Sequence, residues 1–168
     1  MMQVEYINGK LWGALGTALT PSGDTTTRAG IAWFEVQPQL SGAKIGGASI
    51  VKQGYVALKG SYLIYPSIEV NQAGVAAIVM TLSGSSFFPS AVYTVMSNGQ
   101  ASFGHIHIAA HGTGPYDPTA TRWGDYSAAA LGDNGDTFWM ATEYIPPRSS
   151  QTVDRLRNWG TRVLEVSA

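Results

Sequence analysis

The stretch Tyr65-Pro66-Ser67-Ile68-Glu69-Val70-Asn71-Gln72-Ala73-Gly74-Val75-Ala76-Ala77-Ile78-Val79-Met80 decides the fold, because the chain carries its pattern twice. It returns as Asp125-Tyr126-Ser127-Ala128-Ala129-Ala130-Leu131-Gly132-Asp133-Asn134-Gly135-Asp136-Thr137-Phe138-Trp139-Met140-Ala141. Ser67 and Ser127 are 60 residues apart, whereas Gly74 and Gly135 are 61 apart, so the second copy has one more residue in its turn. Asn8-Gly9-Lys10-Leu11-Trp12 is a third echo, with Gly9 65 residues ahead of Gly74. Each copy reads as a short strand, a Gly turn and a second apolar strand. A unit that recurs at this length means stacked supersecondary structure. On this alignment Ile78 and Trp139 are equivalent, and both are expected to be buried.

Working outward, strands are expected at 11–19, 30–36, 48–52, 55–58, 67–70, 75–82, 91–96, 104–109, 127–131, 137–144 and 161–166, with Gly, Asn, Asp or Pro between them. The one helical candidate, 152–158, follows Pro146-Pro147 and is short. Four strands of about 5–6 residues with their loops fill the repeat, and a four-stranded sheet repeated radially is a propeller blade. The expected fold class is therefore all-β: a partial β-propeller with about two complete four-stranded blades and most of a third. The blades fall at 4–57, 61–110 and 122–166 of a single unit covering 1–168. A propeller closes with about four to eight blades, and an open array leaves apolar faces and a sheet edge in water. The expected partners are the remaining blades of a longer protein or further copies of this chain.

Composition agrees with this and excludes several functions. The chain is 45% hydrophobic and only 12% charged, about half the ordinary charged share, so few faces are solvated and many are stacked. Twenty Gly and eight Pro supply the turns that an all-β chain needs. A net charge of −1 without a basic run lacks the footprint of a nucleic-acid binder. No long apolar stretch predicts a membrane span, and the opening Met1-Met2-Gln3-Val4-Glu5 does not read as a signal peptide. With no Cys, disulfides and thiolate chemistry are excluded. No cofactor is expected.

Arg122-Trp123-Gly124-Asp125-Tyr126-Ser127, then Phe138-Trp139-Met140-Ala141-Thr142-Glu143-Tyr144, then Asn158-Trp159-Gly160-Thr161 resembles the ending of large bacterial proteins similar to sialidase-like (BNR-repeat) β-propellers. Tyr65-Pro66-Ser67 and Phe88-Pro89-Ser90-Ala91 resemble strand starts in the blades before it. The resemblance covers about 62–163. It implies the C-terminal portion of such a propeller and an extracellular location, and it does not imply sialidase activity. Sialidase Asp boxes read Ser-x-Asp-x-Gly-x-Thr-Trp. Asp133-Asn134-Gly135-Asp136-Thr137-Phe138-Trp139 keeps the Asp, Gly and Thr, lacks the Ser and places Trp one residue late.

Among candidate chemical groups, Arg122, Asp125, Tyr126 and Glu143 form the densest charged set near aromatics. Glycosidases place carboxylates about the scissile bond, and sialidases use a Tyr nucleophile with Arg clamps on the substrate carboxylate. Tyr126 or Tyr144 fits the Tyr role. The reading preferred for these residues is an Arg122 ion pair with Asp125 or Glu143 at a blade corner, holding the loop before the third blade. Trp123 and Trp159, in loop-like segments, are candidates to stack on sugar rings, while Trp12, Trp33 and Trp139 read as packing between blades. His105, His107 and His111 are the metal candidates, with His105 and His107 on one face of an expected strand; an exposed polar strand explains them as well. Asp133-Asn134-Gly135-Asp136 reads as a hairpin turn and not as a calcium loop. The reading that follows is a non-catalytic propeller segment serving as scaffold or binding surface, with carbohydrate as its ligand class. Its rival is a fragment of a sialidase-like glycoside hydrolase that is active only in a complete ring.

Overall fold

The structure, a computed structural model, describes residues 1, 3–116, 123–147 and 158–167. The described residues form eleven β-strands and no helix. The first sheet holds β1 (Val4–Ile7), β2 (Lys10–Leu19), β3 (Arg28–Ser41) and β4 (Lys44–Val56). The second holds β5 (Ser61–Val70), β6 (Ala76–Gly84), β7 (Phe87–Met96) and β8 (His107–Ala110). The third holds β9 (Ala128–Leu131), β10 (Thr137–Tyr144) and β11 (Gly160–Ser167). Strands neighbour each other in chain order and pair antiparallel throughout. The protein is all-β, built from antiparallel sheets of four, four and three strands.

The glycines of the repeat mark the first turn of each sheet. Gly9, Gly74 and Gly135 all take positive φ, at 76°, 80° and 72°. Asn8 joins Gly9 at φ 50°, giving the two-residue type I′ geometry that Asn-Gly favours. The ladders close at Ile7 with Lys10, at Asn71 with Val75, and at Gly132 with Thr137. The third turn is one residue longer than the second, and the added residue lies after Gly135, not before it as the 60- and 61-residue spacings imply. Counted from the closing residue, Trp12, Ala77 and Trp139 share one position, and Ile78 corresponds to Met140. This corrects the expected match of Ile78 with Trp139. A slip of one residue moves a side chain to the opposite face, and Trp139 is 46% exposed while Ile78 and Met140 are buried.

β6 explains why the repeat reads as a continuous apolar run: both of its faces are covered. Ala76, Ile78, Met80 and Leu82 meet Trp12, Ala14, Ile31 and Trp33 of the first sheet. Ala77 and Val79, on the other face, meet Ala129, Phe138, Met140 and Leu164 of the third. In the shared register, both interfaces join the Trp12-type face of one sheet to the Ile78-type face of the next. The first strands also converge. β5 touches β1 on one side and β9 on the other. The Gln3 amide, just ahead of β1, donates to Ala129 O at 2.8 Å and accepts from Ala129 N at 3.3 Å and from the Ser67 hydroxyl.

Several expected boundaries change. β1, which the Asn8-Gly9 echo implies although the expected strand segments begin at 11, is paired with β2 by the Asn-Gly turn. Segments 48–52 and 55–58 merge into the single β4, kept continuous by bulges against β3. β5 begins at Ser61, so Tyr65-Pro66 is not a strand start but an internal bulge between Ile64 and Ser67. The helical candidate 152–158 lies, apart from Asn158, outside the described residues. Among the described residues no helix is long and apolar enough to cross a membrane.

Candidate functional site

A groove of about 780 Å³ opens between the first two sheets, at the end where β2 finishes and β3 and β5 begin. Its walls are the end of β2 (Ala14 to Ala18), the start of β3 with Thr27 and Arg28, and the β5 bulge from Tyr62 to Pro66; Asp125 reaches it from the third sheet's side. The walls are mostly aliphatic and aromatic, with a few polar groups, as small-molecule clefts commonly are.

The polar wall is fixed by Asp24 in the β2–β3 loop. Its carboxylate accepts from Thr25 N at 2.8 Å, Thr26 N at 3.1 Å, Gly60 N at 2.9 Å and Arg28 Nε at 2.5 Å. The Arg28 hydrogen bond, then the Gly60 amide, hold the Asp24 carboxyl well below its usual range. Asp24 in turn raises the Arg28 pKa further. The guanidinium lies over the Tyr62 ring, 5.1 Å from its centre, a cation–π geometry. Arg28 is thus already committed to a carboxylate and a ring, and Asp24 ties the β2–β3 loop to the start of β5.

Tyr65 adds a second feature. It takes φ 54°, a left-handed conformation, in the middle of the β5 bulge and on the groove wall. A bulky residue there costs about 1–3 kcal/mol, and such strain gathers at functional sites. Bulges likewise re-aim side chains beside sites. The available sequence signal was Pro66 inside an apolar strand, which marks a bulge or an edge. Asp24, Arg28, Tyr62 and Tyr65 were all missed by reasoning from the sequence.

The residues proposed from sequence separate into different places. Asp125 lines the groove. Tyr126, 74% exposed, does not. Glu143 is buried with its carboxylate against Gly124, whose backbone N–H it accepts and which leaves no room for a side chain. Burial, reinforced by the charge of Asp125, pushes the Glu143 carboxyl up. Arg122 lies outside the described residues. Trp123 is half-buried and meets Tyr116 edge-to-face at 5.0 Å, its buried indole Nε1 finding no hydrogen-bond partner among the described residues. Trp159 is half-buried ahead of β11. Neither Trp lines the groove.

The histidines are not brought together as a metal site: among the described residues no group of three potential His, Cys, Asp or Glu ligands converges. His107 opens β8 and stacks on Tyr93 at 5.1 Å, whereas His105 lies before the strand, so the two do not share a strand face. The Asp133–Asp136 segment is a turn: Asn134 Oδ1 accepts from Asp136 N and Thr137 N, both at 3.1 Å.

A buried polar cluster lies where the first strands converge. Glu69 of β5 accepts from Val70 N at 2.9 Å and faces Gln3 at 3.5 Å. Burial, and more weakly the charge of Glu5, push its carboxyl up to about 7. No protein-family model, curated protein or solved structure matches this chain.

Proposed function

We propose that the chain is a segment of a β-propeller acting as a non-catalytic scaffold and binding surface, and that the groove under the β5 bulge binds a carbohydrate. The propeller reading is supported by two sheet-to-sheet interfaces built from the same pair of faces and by first strands that meet at one place. The binding reading is carried by one observation: strained Tyr65 and cation-capped Tyr62 wall the same groove of about 780 Å³. Aromatic faces beside a few fixed polar groups suit a pyranose ring, which offers an apolar C–H face and a rim of hydroxyls. Because Arg28 is neutralised by Asp24, a neutral saccharide fits better than an acidic one.

The rival, a sialidase-like hydrolase fragment, has less support. A carboxylate clamp needs Arg side chains free to fork onto the substrate, and among the described residues the Arg that lines the groove, Arg28, is engaged by Asp24. Glu143, the better acid by its raised pKa, does not line the groove.

The test is titration of the protein with neutral oligosaccharides and with sialosides, followed by calorimetry and by NMR of the tyrosine rings. A neutral saccharide should bind and shift Tyr62 and Tyr65, and Tyr62→Ala should weaken it. Binding that leaves both rings unmoved, or hydrolysis of a sialoside, would remove this reading.

A further inference from the structure

The third sheet presents, uncovered, the face that the other two sheets bury. Trp139 stands where Trp12 and Ala77 stand, and Ala128, Ala130 and Val163 pair beside it on the same face. Trp12 and Ala77 each lie beneath the next sheet, while Trp139 is 46% and Val163 57% exposed. A large indole set among alanines makes a stepped apolar surface.

The first sheet presents the complementary face. Leu11, Gly13 and Leu15 hold the positions of Ala76, Ile78 and Met80, which in the second sheet pack backwards on the sheet before. In the first sheet no other sheet among the described residues covers them. Val4 and Tyr6 continue this face on β1, with Tyr6 60% exposed, and Met1 lies across Gly13 where a side chain is missing.

We propose that two copies of this chain associate head to tail, the Trp139 face of one receiving the Tyr6 face of the other. The argument is continuity with the two interfaces already inside the chain. Each joins a Trp12-type face to an Ile78-type face, and the described residues leave one more of each unfilled, on the third and first sheets. Such contacts are heterologous, so they join unlike faces and either close a ring or extend an array. The first-sheet face is apolar, the third-sheet face is apolar apart from exposed Glu165 opposite Trp139, and a net charge of −1 over the whole chain opposes their approach only weakly. The inference stands on the packed faces and is independent of what the groove binds.

The absence of Cys permits a directional test. First strands meet first strands, as β1 meets β5 and β5 meets β9, so Val4→Cys on one copy should approach Ala130→Cys on the other. Both positions are exposed, and the substitutions leave the core untouched. Under mild oxidation a mixture of the two variants should give a disulfide-linked dimer, and neither variant alone should. Sedimentation of the wild type should show mass rising with concentration, and Trp139→Arg should abolish the rise. A monomer at every concentration overturns the proposal. So does Ala130→Cys linking to itself as readily as to Val4→Cys, which would mean that like faces pair.

Discussion

Trp12 and Trp139 occupy the same register position in the first and third sheets, one roofed by a neighbouring sheet and the other open to water. Trp12 is 5% exposed and stacks on Trp33 at 6.3 Å between ring centres. Equal chemistry in equal backbone therefore meets unequal surroundings. Trp12→Ala should destabilise the chain by about 3–5 kcal/mol, as loss of a large core side chain does. Trp139→Ala should cost under about 1 kcal/mol in dilute solution. Urea unfolding of the two variants at low concentration compares them directly.

Stability should fall as the pH rises from about 4.5 to about 7. Burial lifts the Glu69 carboxyl from 4.5 to about 7. In that interval the folded chain keeps a proton that the unfolded chain has released, so deprotonation favours unfolding, and the effect levels off above the folded value. Glu143, also raised, acts in the same direction. The Glu69 shift corresponds to about 3 kcal/mol at most. Thermal melts between pH 5 and 8 should show the slope, and Glu69→Gln should flatten most of it.

Tyr65→Gly separates strain from packing. Glycine takes the left-handed conformation freely, so the variant should be as stable as the wild type or gain about 1 kcal/mol. It should lose saccharide affinity, because a groove-wall ring is gone. Denaturation and titration on one sample read both quantities; a strongly destabilised variant would mean that the ring is structural.

Gly112 lies where the β8–β9 connection crosses the start of β7. A Cβ there would sit 2.3 Å from Pro89 O and 2.8 Å from the Phe88 carbonyl carbon. The same crossing is held by Gly112 N donating to Ser90 Oγ, Ile145 N to Pro89 O and Thr113 N to Ile145 O. Gly112→Ala must push backbone apart and should cost about 1–3 kcal/mol, a typical overpacking penalty. Chemical denaturation checks it.

The hairpins were legible because their signal is local: Gly9, Gly74 and Gly135 each supply a backbone angle that other residues resist, and the apolar runs beside them need cover. The three sheets, of four, four and three strands, follow from these signals. The face of Trp139 was not legible, since the Ser67–Ser127 and Gly74–Gly135 spacings place the added residue before Gly135, whereas the ladder resumes at Thr137 with a residue added after it. The groove was hidden for another reason. Asp24 and Gly60 are 36 residues apart and meet only when the first two sheets stack. Tyr65 looked like a strand start because a bulge has no periodicity of its own; Pro66 alone hinted at it.

Strand order equal to chain order also governs how the molecule is made. Each new strand finds its partner immediately upstream, so loop closure is cheap and a sheet can complete while the chain is still being synthesised, at roughly 5–20 residues per second. The Gln3 amide is the exception, for its partner Ala129 is 126 residues further on. Gln3 must stay unfastened until the third sheet exists, so its bridge to Ala129 belongs to the last step of assembly and its loss would leave the earlier ones undisturbed.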